Sequence, residues 1–363
     1  MAIYRRMRDL DWPMILLAVV ITGLGILQIY SATLDTASHA AWWKQLLWLS
    51  AGLAGMWLMT KVDYHNLLGQ VPLLYALTVG LLVLTPVLGA LVGGSRRWIP
   101  LGSGFRFQPS EFVKLVIILV VARYLAELKS DRLELRDLVK LSALVGLPFL
   151  LVASQPDLGT SLTYLPVLAV GVYFGGLRWQ HVAVLCLLAA VLVPLGWFAL
   201  ADYQKARLEV FIDPMKDPQV RGYQVIQSKI AVGAGGIWGK GVTRGSQTQL
   251  RFLPATHTDF LISAFAEEHG FFGVVVLLGL YFLLLMQIVQ NAQSAPDRAG
   301  LLICMGVCSM LLFHVLVNAG MAVGRMPVTG IPLPLMSYGG SSMITVFMML
   351  GLVNNVRLRR FVS

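Results

Sequence analysis

Charge is scarce in this sequence: only 13% of its 363 residues are Asp, Glu, Lys or Arg, where a soluble domain carries about a quarter. That shortage argues against an ordinary water-surrounded globule. Cysteine is equally sparse. Cys186, Cys304 and Cys308 all fall inside apolar runs, which gives neither a disulfide framework nor metal-ligand spacing. They read as small packing residues. The six histidines, His39, His65, His181, His257, His269 and His314, show no HExxH or paired-ligand pattern, so no structural metal is expected. A Walker-type phosphate loop, an internal repeat and low-complexity tracts are also missing.

What is present is apolar. Hydrophobic residues make up 57% of the chain, in near-continuous runs of about 17–25, the length that crosses a hydrocarbon core of about 30 Å. The first run follows Arg5, Arg6 and Arg8 and is too long for a cleaved signal peptide. Runs near 12–34, 45–60, 67–92, 110–126, 138–153, 160–175, 181–200, 259–288, 300–323 and 335–355 predict an all-α integral membrane protein of about ten transmembrane helices. The whole chain, 1–363, reads as one transmembrane domain, and 201–258 as one long extracytoplasmic loop between spans seven and eight.

The net charge is +10, and it has to be divided by side before it means anything. Ten crossings put both termini on one face. Long loops translocate almost regardless of charge, so the eight basic residues of 201–258 are set aside. Fourteen basic residues then fall on the side of the termini and six on the other, which predicts cytoplasmic termini. The six are Lys44, Arg96, Arg97, Arg106, Lys114 and Arg325. Together with the long loop they place many cations on the outer face. A basic surface for anionic headgroups and a site for a phosphate-bearing substrate are both open readings.

Four constellations map to that face. Asp259 stands where the loop re-enters the membrane. Its spacing from Thr256 is that of a capping box, which is the bland reading; the 259, 263, 267 stripe ending at Glu267 suggests a cavity instead. The second runs from Gly93 to Lys114. Arg97 and Arg106 offer forked donors for phosphate oxygens, and Glu111 and Lys114 are spaced to pair on one helix face. The third is Asp157 in QPDLGT, which either caps the next helix or joins a site. The fourth is Asn318 with the Pro- and Gly-rich stretch 324–341, non-helical backbone tolerated at a membrane boundary only where protein or a cavity surrounds it.

These residues carry a resemblance. Residues 94–102 are similar to the GGxxRWI segment and 107–114 to the FQPSExxK segment of the SEDS family (shape, elongation, division and sporulation). Further family motifs are matched by QPDLGT at 155–160, GYQVIQSK at 222–229, LPATHTDF at 253–260 with AEE at 266–268, and PLPLMSYGGS at 332–341. They occur in family order along essentially the whole chain. QSKIA at 227–231 and RGSQTQL at 244–250 resemble the elongation branch of the family more than the division branch. His269 departs from the apolar residue that relatives commonly carry there.

The resemblance implies a ten-helix fold and a peptidoglycan glycosyltransferase that polymerises lipid II on the outer face of the cytoplasmic (inner) membrane. It implies Asp259 as the catalytic residue. Candidate substrate-binding positions are Lys114, Glu111, Arg106, Arg97, Lys229, Arg244, Asp157, Gln227, His257 and Ser341. Among them Lys114, Arg106, Lys229 and Arg244 are the candidates to hold a pyrophosphate, with Glu111 orienting Lys114. A divalent cation, Mg or Mn, is compatible with such a leaving group, and no organic cofactor is expected. Implied partners are a class B penicillin-binding transpeptidase and other membrane proteins of the rod-elongation complex; nucleic acid is not among them. A lipid II flippase and a non-catalytic scaffold for the transpeptidase are the competing readings.

Overall fold

The apolar runs fold into helices whose ends follow ordinary cap chemistry. In a computed structural model of the protein, residues 9–360 are described apart from 35, 37, 93, 101, 103–105, 129–132, 177–197, 199–201 and 219–221. α1 (Trp12–Thr33) begins at Asp11, whose carboxylate accepts from the Met14 N–H at 3.2 Å, with Pro13 in the first turn. Met14, Ala18, Ile21 and Ile29 face inward, whereas Leu16, Val20 and Leu27 point outward. A helix that is apolar on both sides buries one face in protein and leaves the other for lipid.

α2 (Ala41–Lys61), α3 (Tyr64–Gly69) and α4 (Val71–Leu88) follow. Three short strands come next: β1 (Ala90–Val92), β2 (Ser95–Pro100) and β3 (Arg106–Phe107), in antiparallel order β1-β2-β3. This small sheet is the one departure from the all-helical expectation among the described residues. α5 (Pro109–Ala126), α6 (Leu135–Ser154), α7 (Leu158–Leu162) and α8 (Leu165–Phe174) complete the first half. The expected span at 181–200 lies outside the described residues.

In the second half, the segment 201–258, expected as one long extracytoplasmic loop, contains short helices where it is described. It holds α9 (Asp202–Ile212), a 3-10 turn (Pro214–Lys216), α10 (Tyr223–Gly235) and α11 (Ser246–Gln249). α12 (Leu261–Gln293), α13 (Arg298–Ala322) and α14 (Gly340–Arg359) close the chain. α5 and α13 are the inner helices, and Val113 to Ala122 of α5 are all buried. α13 packs on α5, α8 and α12; α14 lies along α2; α12 also touches α1 and α10. α1, α4, α12, α13 and α14 are each long and apolar enough to cross a membrane, and the structure is that of a multi-span membrane protein.

α12 explains why the preceding segment is folded. It breaks at Gly270 (φ 67°, ψ −167°), which removes backbone bonds inside an apolar helix. The turn after α10 supplies replacements. Phe271 N–H donates to Gly236 O at 2.9 Å, while Glu267 O and Glu268 O accept from Lys240 N–H and Gly241 N–H at 3.0 and 2.9 Å. A Cβ at Gly270 would lie 2.3 Å from the Gly239 nitrogen, so this approach needs glycine. The buried Glu267 carboxylate then holds α11. It accepts from Gln247 N–H (2.8 Å), Thr248 N–H (3.1 Å), Thr248 Oγ1 (3.0 Å), Ser246 Oγ (3.2 Å) and Lys240 Nζ (2.9 Å). Glu267 is therefore a structural anchor, and the cavity reading of its stripe does not hold at this position.

Candidate active site

Cap or open carboxylate were the two readings of Asp259, and the local geometry separates them. α12 starts at Leu261 with Phe260 as its N-cap and no side-chain cap bond. Asp259 precedes the helix, and among the described residues its carboxylate takes no hydrogen bond and no ion pair. It caps nothing. Its main chain, by contrast, is held firmly. Asp259 O accepts from Asn318 Nδ2 at 3.0 Å, and the neighbouring Thr258 O accepts from Ser337 Oγ at 2.6 Å. On α13, Asn318 lies twenty residues from Arg298, about 30 Å along the helix axis. Asp259 thus sits near the far edge of a span that begins at Arg298.

Asp259 is half-buried, with Gly330 beside its carboxylate. Burial raises its pKa from the ordinary value; the Arg207 and Arg97 charges pull it down, and Asp157 pushes it up. Those three residues come from chain segments far apart.

Their convergence is built from the backbone up. Pairing of Ile99 with Phe107 sets β2 beside β3, and Pro109 then starts α5. This places Arg97 and Gln108 on either side of Asp157: Arg97 Nη1 to Asp157 Oδ1 is 3.2 Å, and Gln108 Nε2 to Asp157 Oδ2 is 2.9 Å. The same Asp157 also caps α7 through Thr160 N–H at 3.3 Å. Gln108 N–H donates to Ser341 Oγ at 3.1 Å, joining the start of α14. The α7 segment presses on the fourth constellation at Gly159, where a Cβ would lie 2.3 Å from Thr329 O. Arg207 Nη1 reaches the same Thr329 O at 3.4 Å. All four sequence constellations meet around Asp259.

Not every expected residue is part of that meeting point. Lys114 lies inside the bundle, 3% exposed, with Nζ 2.8 Å from Glu111 Oε1 and 3.1 Å from His314 Nε2. A lysine so enclosed is occupied by its own partners. Lys229 on α10 is exposed and lies against Gly324, whose added Cβ would be 2.0 Å from Lys229 Cε. Gln227 is half-buried, and Arg244 is exposed beside Gly241. His257 is half-buried; its carbonyl accepts from Tyr338 N–H at 2.9 Å, and burial lowers its pKa. Arg106 is exposed on β3, close enough to the Tyr338 hydroxyl for its charge to act there. Sequence reasoning missed Arg207 and Gln108. Arg207 is one of eight basic residues in its segment, and no spacing distinguishes it from the others.

Comparison with known proteins follows the same line. A family model described as the cell cycle protein family FtsW/RodA/SpoVE matches residues 11–360. The chain belongs to this family. The peptidoglycan glycosyltransferase MrdB of Escherichia coli K12 is 38% identical over 358 residues, covering 97% of this chain and 94% of that protein. The peptidoglycan glycosyltransferase RodA of Treponema pallidum is 33% identical over 431 residues, covering 98% and 99%. Among solved structures, a chain of a peptidoglycan synthase complex that coordinates polymerization and crosslinking superposes with a TM-score of 0.84 at 35% identity, covering 98% and 99%. The rod shape determining protein RodA of Thermus thermophilus gives 0.72 at 32% identity, covering 97% and 98%. This FtsW/RodA/SpoVE member is RodA-like on both sequence and structure.

Proposed function

We propose that this protein is a peptidoglycan glycosyltransferase that polymerises lipid II during cell elongation, with Asp259 as its general base. The observation that carries the reading is the carboxylate itself. Among the described residues it has no hydrogen-bond or ion-pair partner, burial partly desolvates it, and the charges of two arginines from distant segments act on it. A carboxyl raised above its ordinary value is a stronger base toward a sugar hydroxyl. In the proposed step the 4-hydroxyl of an acceptor GlcNAc attacks C1 of the donor MurNAc. The C1–O bond to the lipid pyrophosphate breaks, and C1 inverts from α to a β-1,4 linkage. The hydroxyl proton passes to Asp259.

Arg97 and Arg207, whose charges act on Asp259, supply positive charge for the departing pyrophosphate, with Arg106 as a further candidate. Lys114, enclosed by Glu111 and His314, supports the bundle that positions these groups. Among the described residues no three His, Cys, Asp or Glu side chains converge as a metal-ligand set; a divalent cation, Mg or Mn, would be held there through the pyrophosphate oxygens of the substrate and would add positive charge at the leaving group. The likeness to a chain of a synthase complex that coordinates polymerization and crosslinking supports a class B transpeptidase as partner. The charge asymmetry supports cytoplasmic termini with Asp259 at the outer face of the inner membrane.

The experiment is purified protein in detergent with lipid II as the only substrate. A polymerase forms glycan strands there. A flippase needs two leaflets and forms none, so absence of polymer from folded protein would reject the proposal.

A further inference from the structure

Among the described residues the Asp259 side chain has no hydrogen-bond or ion-pair partner, so what fixes its carboxylate there acts through the main chain. The bond that reaches its carbonyl comes from Asn318, a residue 0% exposed on α13. One Asn318 Nδ2 serves two acceptors, Asp259 O at 3.0 Å and Ile331 O at 2.8 Å, while Oδ1 has no partner. Two carbonyls on one atom settle which end of the amide is nitrogen, because a flipped amide would set oxygen against both. The Ile331 end of this staple adjoins Gly330, whose backbone backs the Asp259 Oδ2: an added Cβ there would be 3.7 Å away. A single buried amide therefore ties the acid residue to the wall behind its carboxylate. The surroundings give Asn318 little else to do, since Val317, Met321 and Ile331 form an apolar cluster around this turn of α13.

We infer that Asn318 is a positioning residue for the glycosyl-transfer step, acting through its two N–H bonds on where Asp259 stands. The inference rests on Asp259 being the base. Displacement of a reacting group by about 1 Å costs about 10²-fold in rate, so loss of the staple should appear in kcat. Substrate binding, made by other groups, should hardly change.

The test compares Asn318→Asp, Asn318→Ser and Asn318→Gln in the purified full chain, measuring kcat and KM for lipid II together with Tm. Asn318→Asp keeps the shape and removes the donors. It should lower kcat by about 10- to 100-fold with KM within about twofold. Asn318→Ser, with one donor on a shorter arm, should show the same split and decides the matter should the aspartate variant not fold. Asn318→Gln, which keeps the amide donors, should recover part of the rate. A donor-less variant that folds and turns over within twofold of wild type overturns the inference. So does a loss confined to KM, or one matched by the unfolded fraction. Asp259→Ala run alongside separates the two ideas. If it stays active, the base assignment fails; if it is inactive while Asn318→Asp is normal, only the staple fails.

Discussion

At the end of the bundle where α1, α12 and α14 meet, Asp11 is fully buried and saturated. It accepts from Asn291 Nδ2 (2.5 Å), Gln287 Nε2 (3.1 Å) and Met14 N–H, and pairs with Arg357 Nη1 at 3.0 Å. Asp297 at the same end accepts from Gly300 N–H, the Tyr64 hydroxyl and His65 Nε2. At the other end, the Asp259 carboxylate has no hydrogen-bond or ion-pair partner among the described residues. Proximity in sequence does not explain the contrast, because Glu267, eight residues on, takes five bonds. A carboxylate that serves stability is spent on its partners. One left open beside cations, with its backbone clamped, is available to a substrate.

Substitutions can break or sharpen that contrast. Glu267→Ala should have the largest effect on folding. It leaves the backbone donors of α11 and Lys240 without their acceptor, and removing one partner from such a buried set costs about 3–5 kcal/mol; a fall in Tm in detergent checks it. Arg97→Ala should lower kcat/KM for lipid II by about 10²-fold with a smaller change in Tm, since it removes a cation whose charge acts on Asp259 and leaves Asp157 with its Gln108 and Thr160 bonds. Arg207→Ala should act mainly on the pH profile. Arg207 lowers the Asp259 pKa, so its loss raises that pKa, and the acid limb of kcat moves to higher pH, because the base is protonated sooner as pH falls. An unmoved limb would separate Arg207 from Asp259. His65→Ala should do least. Its ring is mostly exposed between Asp63 and Asp297, and such pairs contribute about 0–1 kcal/mol.

Much of the scaffold was legible because membrane spans announce themselves as continuous apolar runs. Trp12–Thr33, Arg298–Ala322 and Gly340–Arg359 all fall where such runs placed them. The helices of 201–258 were not legible. They are short and mixed in polarity, and they are held by contacts that form only in three dimensions, such as the Gly270 kink and Glu267. β2 and β3 were hidden for the same reason: a few residues beside a Gly pair carry no period. The site was half legible. The constellations named Asp259, Arg97, Asp157 and Ser341, which do converge. Spacing suggested the Glu111–Lys114 pair, but His314 is two hundred positions away, so the enclosure of Lys114 could not be seen. The capping-box spacing of Thr256 and Asp259 pointed the wrong way, because the helix starts at Leu261, four residues later than that box requires.

Asp259→Asn tests the account most directly, since it keeps the shape of the side chain and removes its basicity. Stability and lipid II polymerisation should be measured on the same purified preparation. The account predicts a Tm at or above that of wild type, because no native bond to the carboxylate is lost, with polymerisation reduced by about 10²–10⁴-fold. Polymerisation at the wild-type rate, or a loss of activity explained by a fall in Tm, would contradict it.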